Sequence, residues 1–207
     1  MSAGVLETSC RIKPDIQAGG IKGMIKKDLL RNWDLARGNK LQKMISVYRS
    51  PGAHAVVVYR FGNWLKRRNI LLRIFLEPIY LFMFRRMHTK WGIDINRSAE
   101  IGEGLYIGHF GGVEVSGKIK IGKNASISQK TLIGGVGGKG ENKGVPIIGD
   151  NVYIAPGAKI FGKITIGDNV KIGTNTVIYK DIPDNAIVVL DPGFKIVSYK
   201  GNTPVEE

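Results

Sequence analysis

Residues 148–178 read IGDNVYIAPGAKIFGKITIGDNVKIGTNTVI, with isoleucine at every sixth position: Ile148, Ile154, Ile160, Ile166, Ile172 and Ile178. Upstream, Ile95, Ile101, Ile107 and Val113 keep the same interval. Val115, Ile121, Ile127 and Ile133 form a further series, offset from the first by two. A glycine often follows, as in Ile101-Gly102, Ile121-Gly122, Ile148-Gly149, Ile166-Gly167 and Ile172-Gly173. Four positions after many of these come Leu105, Ala125, Thr131, Val152, Ala158, Val170 and Thr176, a second inward set. A six-residue period fits neither the 3.6-residue helix nor the alternation of a long strand. It predicts a parallel β-helix, a flat-sided prism with branched residues on the axis and small residues at the corners. One coil cannot bury its own core, so several must stack.

Outward from this stretch, the period breaks once. Ile133 and Ile148 are 15 residues apart where 12 would keep register, and residues 134–147 read GGVGGKGENKGVPI. They are read as a loop ejected from the prism, a feature that on a rigid scaffold is more often functional than ornamental. Its glycines precede no strand-to-helix transition, so neither a dinucleotide fingerprint nor a P-loop is supported. The prism is expected over residues 91–185, ending at Asp181-Ile182-Pro183-Asp184-Asn185, with residues 186–207 as a C-terminal tail.

The formal charge is +14, unevenly placed. Residues 1–90 hold 18 Lys and Arg against 5 Asp and Glu, while residues 91–207 hold 13 against 12. Residues 1–20 are expected to be a flexible leader, and residues 21–90 a basic α-helical region. Ile21, Met24, Ile25, Leu29, Trp33 and Ala36 mark one amphipathic helix, stopped at Gly38-Asn39. A short turn over 40–48 and a helix from about Ala53 to Arg68 follow, separated by Ser50-Pro51-Gly52. The apolar run at 70–84 contains Arg73, Glu77 and Pro78 and is shorter than the ~20 residues a spanning helix needs. It is read either as a helix packed against its neighbours or another subunit, or as one lying in a membrane interface among Arg60, Lys66, Arg67, Arg68, Arg85 and Arg86. No nucleic-acid motif accompanies the basic residues, so no nucleic-acid partner is expected. The N-terminal residues lack a signal-peptide core, and Cys10 is the single cysteine. A cytoplasmic protein with a free thiol is expected, in peripheral contact with the membrane if the basic region meets lipid.

The prism's chemistry centres on His109. It follows Ile107-Gly108 and lies among Gly104, Gly108, Gly111 and Gly112, which leave room for a ligand. Histidine is the usual group for taking a hydroxyl proton near neutral pH. Asp94 lies 15 residues earlier, just short of one turn of the prism, where it could hold the imidazole from the adjacent coil. His54 and His88 fall in predicted helices and are read as surface residues. With His109 alone inside the prism, a histidine metal site is not supported, and no metal is expected.

Four stretches then carry a resemblance: Gly92-Ile93-Asp94-Ile95, Gly108-His109-Phe110-Gly111-Gly112, Ser126 through Gly135, and Ile154 through Ile160. With them, residues 91–198 resemble the left-handed β-helix acyltransferases of the hexapeptide family. Within it they are most similar to the serine O-acetyltransferase branch and its relatives that acetylate bacterial polysaccharides. The resemblance implies His109 as catalytic base, Asp94 as its partner, and acetyl-CoA as donor in a groove between two prisms of a homotrimer or a dimer of trimers. It implies a pantetheine arm along Gly135, Ala155 and Gly173, a phosphate end near Lys159, Lys180 or Lys195, and oxyanion donors around Gly134-Gly135. Two departures bear on the acceptor. The serine enzymes carry aspartate before the catalytic histidine, where Gly108 stands here, and an Arg-His pair before the loop proline, where Lys143-Gly144-Val145 precedes Pro146. From these, and from the basic, apolar character of the N-terminal region, which resembles that of the polysaccharide branch, the expected acceptor is a sugar hydroxyl of a capsule, an exopolysaccharide or their lipid-linked precursors. The alternatives are a serine O-acetyltransferase feeding cysteine synthesis and a non-catalytic β-helix scaffold.

Overall fold

The isoleucine columns read from the sequence run down the axis of a prism. A computed structural model of the chain describes residues 20–138 and 142–190. Most of the predicted leader with Cys10, part of the excursion loop, and the tail beyond residue 190 with Lys195 lie outside the described residues. The β-strands, numbered in chain order, are two or three residues long and pair in parallel on three faces. The first face stacks β1 (Ile93–Ile95), β4 (Val113–Val115), β7 (Leu132–Gly134), β10 (Lys159–Phe161) and β13 (Val177–Ile178). The second stacks β2 (Glu100–Ile101), β5 (Lys120–Ile121), β8 (Ile147–Ile148) and β11 (Thr165–Ile166). The third stacks β3 (Tyr106–Ile107), β6 (Ser126–Ile127), β9 (Tyr153–Ile154), β12 (Lys171–Ile172) and β14 (Ile187–Val188). Ile107, Ile127, Ile154 and Ile172 stand level in consecutive coils, as do Ile95, Val115, Ile133, Ile160 and Ile178. All are buried. This is the hexapeptide-repeat β-helix expected from the sequence, preceded by the expected helical region.

The corners are built by asparagine as well as glycine. Asn124, Asn151, Asn169 and Asn185 all sit at left-handed φ values of 57–61°, which asparagine tolerates better than most residues. Each side-chain amide donates to the next Oδ1 at 3.1 Å, making a ladder along one edge. The predicted ejected loop begins and ends inside strands, since Gly134 closes β7 and Ile147 opens β8. An antiparallel bridge between Val136 and Gly144 pinches its base.

Four helices precede the prism: α1 (Gly20–Leu35), α2 (Lys40–Arg49), α3 (Pro51–Lys66) and α4 (Ile70–Trp91). Asn39 and Gln42 form a capping box at the start of α2, and Ser50 caps α3 with Pro51 in its first turn. The apolar run at 70–84 is only the first part of α4. The helix continues until Gly92, whose φ of 61° ends it. One side of α4 packs on α3 and the prism, through Tyr80 and Met87, while Leu71, Ile74, Phe75 and Phe82 on the other are exposed in the single chain. No described helix is long and apolar enough to cross a membrane.

The predicted amphipathic helix is α1, and its apolar residues Ile21, Met24, Ile25, Leu29 and Trp33 are half-buried while its fully buried positions are polar. The buried residues of α1 are Asp28 and Asn32. The reason is what this helix meets. The first coil has no coil above it, so its upward peptide groups lack strand partners, and side chains of α1 and α3 supply them. Arg60 donates to the Ile101 and Gly102 carbonyls, each at 2.6 Å, and pairs with Asp28 at 2.8 Å through Nε and Oδ2. Asp28 Oδ1 accepts the Leu105 N–H at 2.8 Å. Arg31 donates to the Gly104 and Ala125 carbonyls, and its Nη2 donates to Ser126 Oγ at 2.8 Å. Tyr59 donates to the Ala99 carbonyl at 2.8 Å and accepts the Ile101 N–H at 3.2 Å. Farther round, Arg97 of the first coil pairs with Glu77 of α4 at 2.6 Å.

Two outcomes test this cap. Asp28→Ala strands Arg60 in a buried site and is expected to cost about 3–5 kcal/mol in urea unfolding. A loss under about 1 kcal/mol would show that the pair does not hold the helices down. Burial pushes the Tyr59 hydroxyl up to about 12, against smaller opposing effects from the Arg60 charge and the Ile101 hydrogen bond. The unfolded chain releases that proton near pH 10, so the contribution is intact below pH 10 and fades as pH rises toward 12. It amounts to about 3 kcal/mol. Unfolding midpoints of wild type and Tyr59→Phe, compared between pH 9 and pH 12, should converge as the pH rises.

Candidate active site

The two-residue offset between the early hexad series is the address of His109. Ile107 stands level with Ile127, and Glu114 with Leu132. Extending both registers puts Gly108 beside Ser128 and Gly112 beside Lys130. Three residues, His109, Phe110 and Gly111, thus occupy a corner that Gln129 alone fills in the next coil. This is a bulge, and bulges re-aim side chains. Gly111 and Gly112 make the return at φ values of 100° and 70°. His109 and Phe110 project from the prism and are exposed.

They project into an open cavity of about 1040 Å³ between the prism and the helices. Its floor is Tyr106, Gly108, His109 and Phe110. Asn32, Leu35, Ala36 and Arg37 at the end of α1 form one wall, and residues from Gln42 to Arg49 of α2 another. Ser50 and Pro51, at the start of α3, close it. No acidic side chain is among the described residues that line it.

The other residues singled out from the sequence fall on two edges. Gly108, Ser128, Ala155 and Gly173 each follow a third-face strand, and their N–H groups donate in turn to Ile127, Ile154, Ile172 and Val188. They form a column of small residues below His109. A Cβ on Gly173 would lie 3.0 Å from the Val188 carbonyl oxygen, so a larger residue there crowds the edge. Gly134 and Gly135 leave the first face at its far end, level with Phe161 and Gly162. Lys180 follows Tyr179 on that same far edge, where Tyr179 stacks on Phe161 at 6.4 Å. Within one chain, therefore, Ala155 and Gly173 share the edge of His109, whereas Gly134, Gly135 and Lys180 do not. Lys159 lies on the first face, its Nζ donating to the Lys130 carbonyl at 2.9 Å.

Asp94 is held by an unexpected partner. Its Oδ2 lies 3.5 Å from Nδ1 of His88, the residue read from sequence as a plain surface histidine, and His109 makes no side-chain hydrogen bond among the described residues. The spacing of 15 residues fell short of a coil that takes 20 here, so Asp94 reaches the end of α4 first. Sequence reasoning also passed over Gln129, whose buried Oε1 has no partner among the described residues, and over Arg37 and Arg49. For Gln129 the signal was the two-residue offset, which marks the corner it sits beneath.

Comparison with known proteins now bears on the acceptor. Residues 146–180 match the model of the bacterial transferase hexapeptide (six repeats) family. A serine acetyltransferase of Staphylococcus xylosus is 39% identical over 144 residues, 69% of this chain and 62% of the relative. One from Helicobacter pylori is 37% identical over 67% of this chain and 77% of its own length. The chain spans 62% and 59% of the Staphylococcus xylosus and Mycobacterium tuberculosis relatives it matches. Among solved structures, the Neisseria gonorrhoeae serine acetyltransferase in complex with serine superposes with a TM-score of 0.68 at 28% identity, over 83% of this chain and 67% of that one. The Entamoeba histolytica isoform 3 in complex with cysteine gives 0.68 at 29% identity, over 86% and 61%.

These findings overturn the expected sugar acceptor and support the serine acetyltransferase branch of the expected resemblance. The relatives, at 35–45% identity, are serine acetyltransferases. The sugar expectation rested on Gly108, on residues 143–145 of the excursion loop and on the basic, apolar character of the N-terminal helices, which place Arg37 and Arg49 on the lining of the same cavity. The chain belongs to the serine acetyltransferase family of hexapeptide-repeat proteins.

Proposed function

We propose that the chain transfers an acetyl group from acetyl-CoA to the hydroxyl of L-serine. The observation that carries this reading is His109, raised on its bulge into the cavity of a chain of this family. His109 takes the hydroxyl proton as the serine oxygen attacks the thioester carbonyl. The tetrahedral species collapses, the C–S bond breaks, and the imidazolium returns the proton to the departing CoA sulfur. The prism contains no cysteine, which favours direct transfer. Asp94 is assigned to steady the imidazole, a role that requires its carboxylate to turn from His88 toward His109.

The small-residue column of Gly108, Ser128, Ala155 and Gly173 suits a pantetheine arm, because it leaves the backbone of that edge approachable. Lys159 and Lys180 are assigned to the phosphates. Gly134-Gly135 donates to the oxyanion only if another copy brings that edge to His109. A threefold assembly, with the His109 edge of one copy against the Gly134-Gly135 edge of the next, satisfies this.

Release of CoA thiol with L-serine tests the reaction. Wild type is expected to turn over, and His109→Ala to fall by roughly a hundredfold or more with an unchanged melting temperature, since the side chain is exposed. Turnover that survives in His109→Ala would make the histidine incidental. A wild type inert to serine would remove this acceptor. For the shared site, light scattering should give three times the 22.7 kDa chain mass. Co-refolded His109→Ala and Gly135→Trp chains, each inactive alone, should recover activity together. Failure to complement would place both groups in one subunit.

A further inference from the structure

Two arginines that the reaction as proposed leaves idle line the cavity above His109. Arg37 follows the end of α1, and Arg49 closes α2. Both line the cavity and both are exposed. Among the described residues neither has a salt bridge or a side-chain hydrogen bond, in contrast to Arg31 and Arg60, which are committed to carbonyls of the prism. The lining carries no carboxylate to neutralise them. Two helix ends meet the same space. Asn32, Leu35 and Ala36 belong to the C-terminal end of α1, where backbone dipoles present partial negative charge. Ser50 and Pro51 belong to the N-terminal end of α3, where the sign is reversed. A molecule with one cationic and one anionic end is complementary to such a cavity.

We infer that Arg37 and Arg49 bind the carboxylate of the acceptor, so that the helical wall supplies the amino-acid selectivity that Gly108 and Lys143-Gly144-Val145 do not provide. The inference rests on the serine reading above. Guanidinium forks match a carboxylate in shape and charge, which lysine does not. The ammonium of the same acceptor faces the end of α1, and its hydroxyl reaches His109.

The test uses full-length Arg37→Gln, Arg49→Gln and the double variant with two acceptors. L-serine carries the carboxylate; L-serinamide keeps the hydroxyl and the ammonium without that charge. Wild type is expected to favour serine by at least about tenfold in kcat/KM, and each single variant to raise the KM for serine roughly tenfold. The KM for acetyl-CoA should stay within about twofold, and the double variant should treat the two acceptors alike. An undiminished serine preference in the double variant overturns the assignment. So do equal losses on serine and serinamide, the mark of a structural role. A wild type that acetylates serine beside unaffected variants sinks the arginine assignment alone, whereas a wild type inert to serine sinks the proposed reaction and this inference together.

Discussion

The upper end of the prism is its most demanding constraint. A β-helix satisfies its peptide groups by stacking coil on coil, and the first coil has nothing above it. Exposed, that edge would invite pairing with another chain. Buried under an apolar helix, it would strand donors and acceptors at a few kcal/mol each. The protein covers it with helices whose contact surface is polar. Arg60, Asp28, Arg31, Tyr59 and Asn63 meet the carbonyls and N–H groups of residues 97–105 one by one. The Asp28–Arg60 pair lies at the centre, both side chains almost wholly buried. Terminal capping is a general need of solenoids, met here by the segment that also builds the cavity.

That shared duty links stability to chemistry. α3 approaches the third face so closely at Gly52 that a Cβ would collide with the Ile107 carbonyl. Gly52 follows Ser50 and Pro51, and Ile107 precedes Gly108 and His109, so the contact fixes the cavity wall against its floor. α2, capped through Asn39, is carried between α1 and α3 and brings Arg49 along. A change that loosens the cap therefore moves the walls over His109 even when it touches no lining residue.

The prism was legible because a core filled by one residue per six leaves a periodic trace. The strands fall where Ile95 through Ile178 put them, and the bulge of His109 was written as an offset of two between series. What was illegible depended on partners distant in sequence. The amphipathic pattern of α1 located the helix, whereas the polar contact of Asp28 with the backbone of the first coil left no periodic trace. α4 outran its apolar segment, since Arg85 to Lys90 hold a single apolar residue, Met87, and only Trp91-Gly92 marks the stop. The 15-residue spacing set Asp94 beside His109 in the reading, and the 20-residue coil brought it to His88 instead. The expected acceptor was overturned by the serine acetyltransferase relatives, and the meeting of Arg37 and Arg49 at one cavity was illegible because it depends on how α1 and α2 pack beside the prism.

The asparagine ladder carries one more implication. From Asn151 to Asn169 the protein repeats the same corner, the same amide bond and the same inward isoleucines over 18 residues. Such a coil is a unit of length. Any one can sit on any other, and inserting a copy below Ile154 would lengthen the prism by about 4.8 Å without altering the coils that meet the helices. His109 and its cavity lie at the capped end, so coils can be added below them in whole steps. Such a step lengthens the column of Gly108, Ser128, Ala155 and Gly173 beneath His109 while leaving the bulge that raises His109 unchanged.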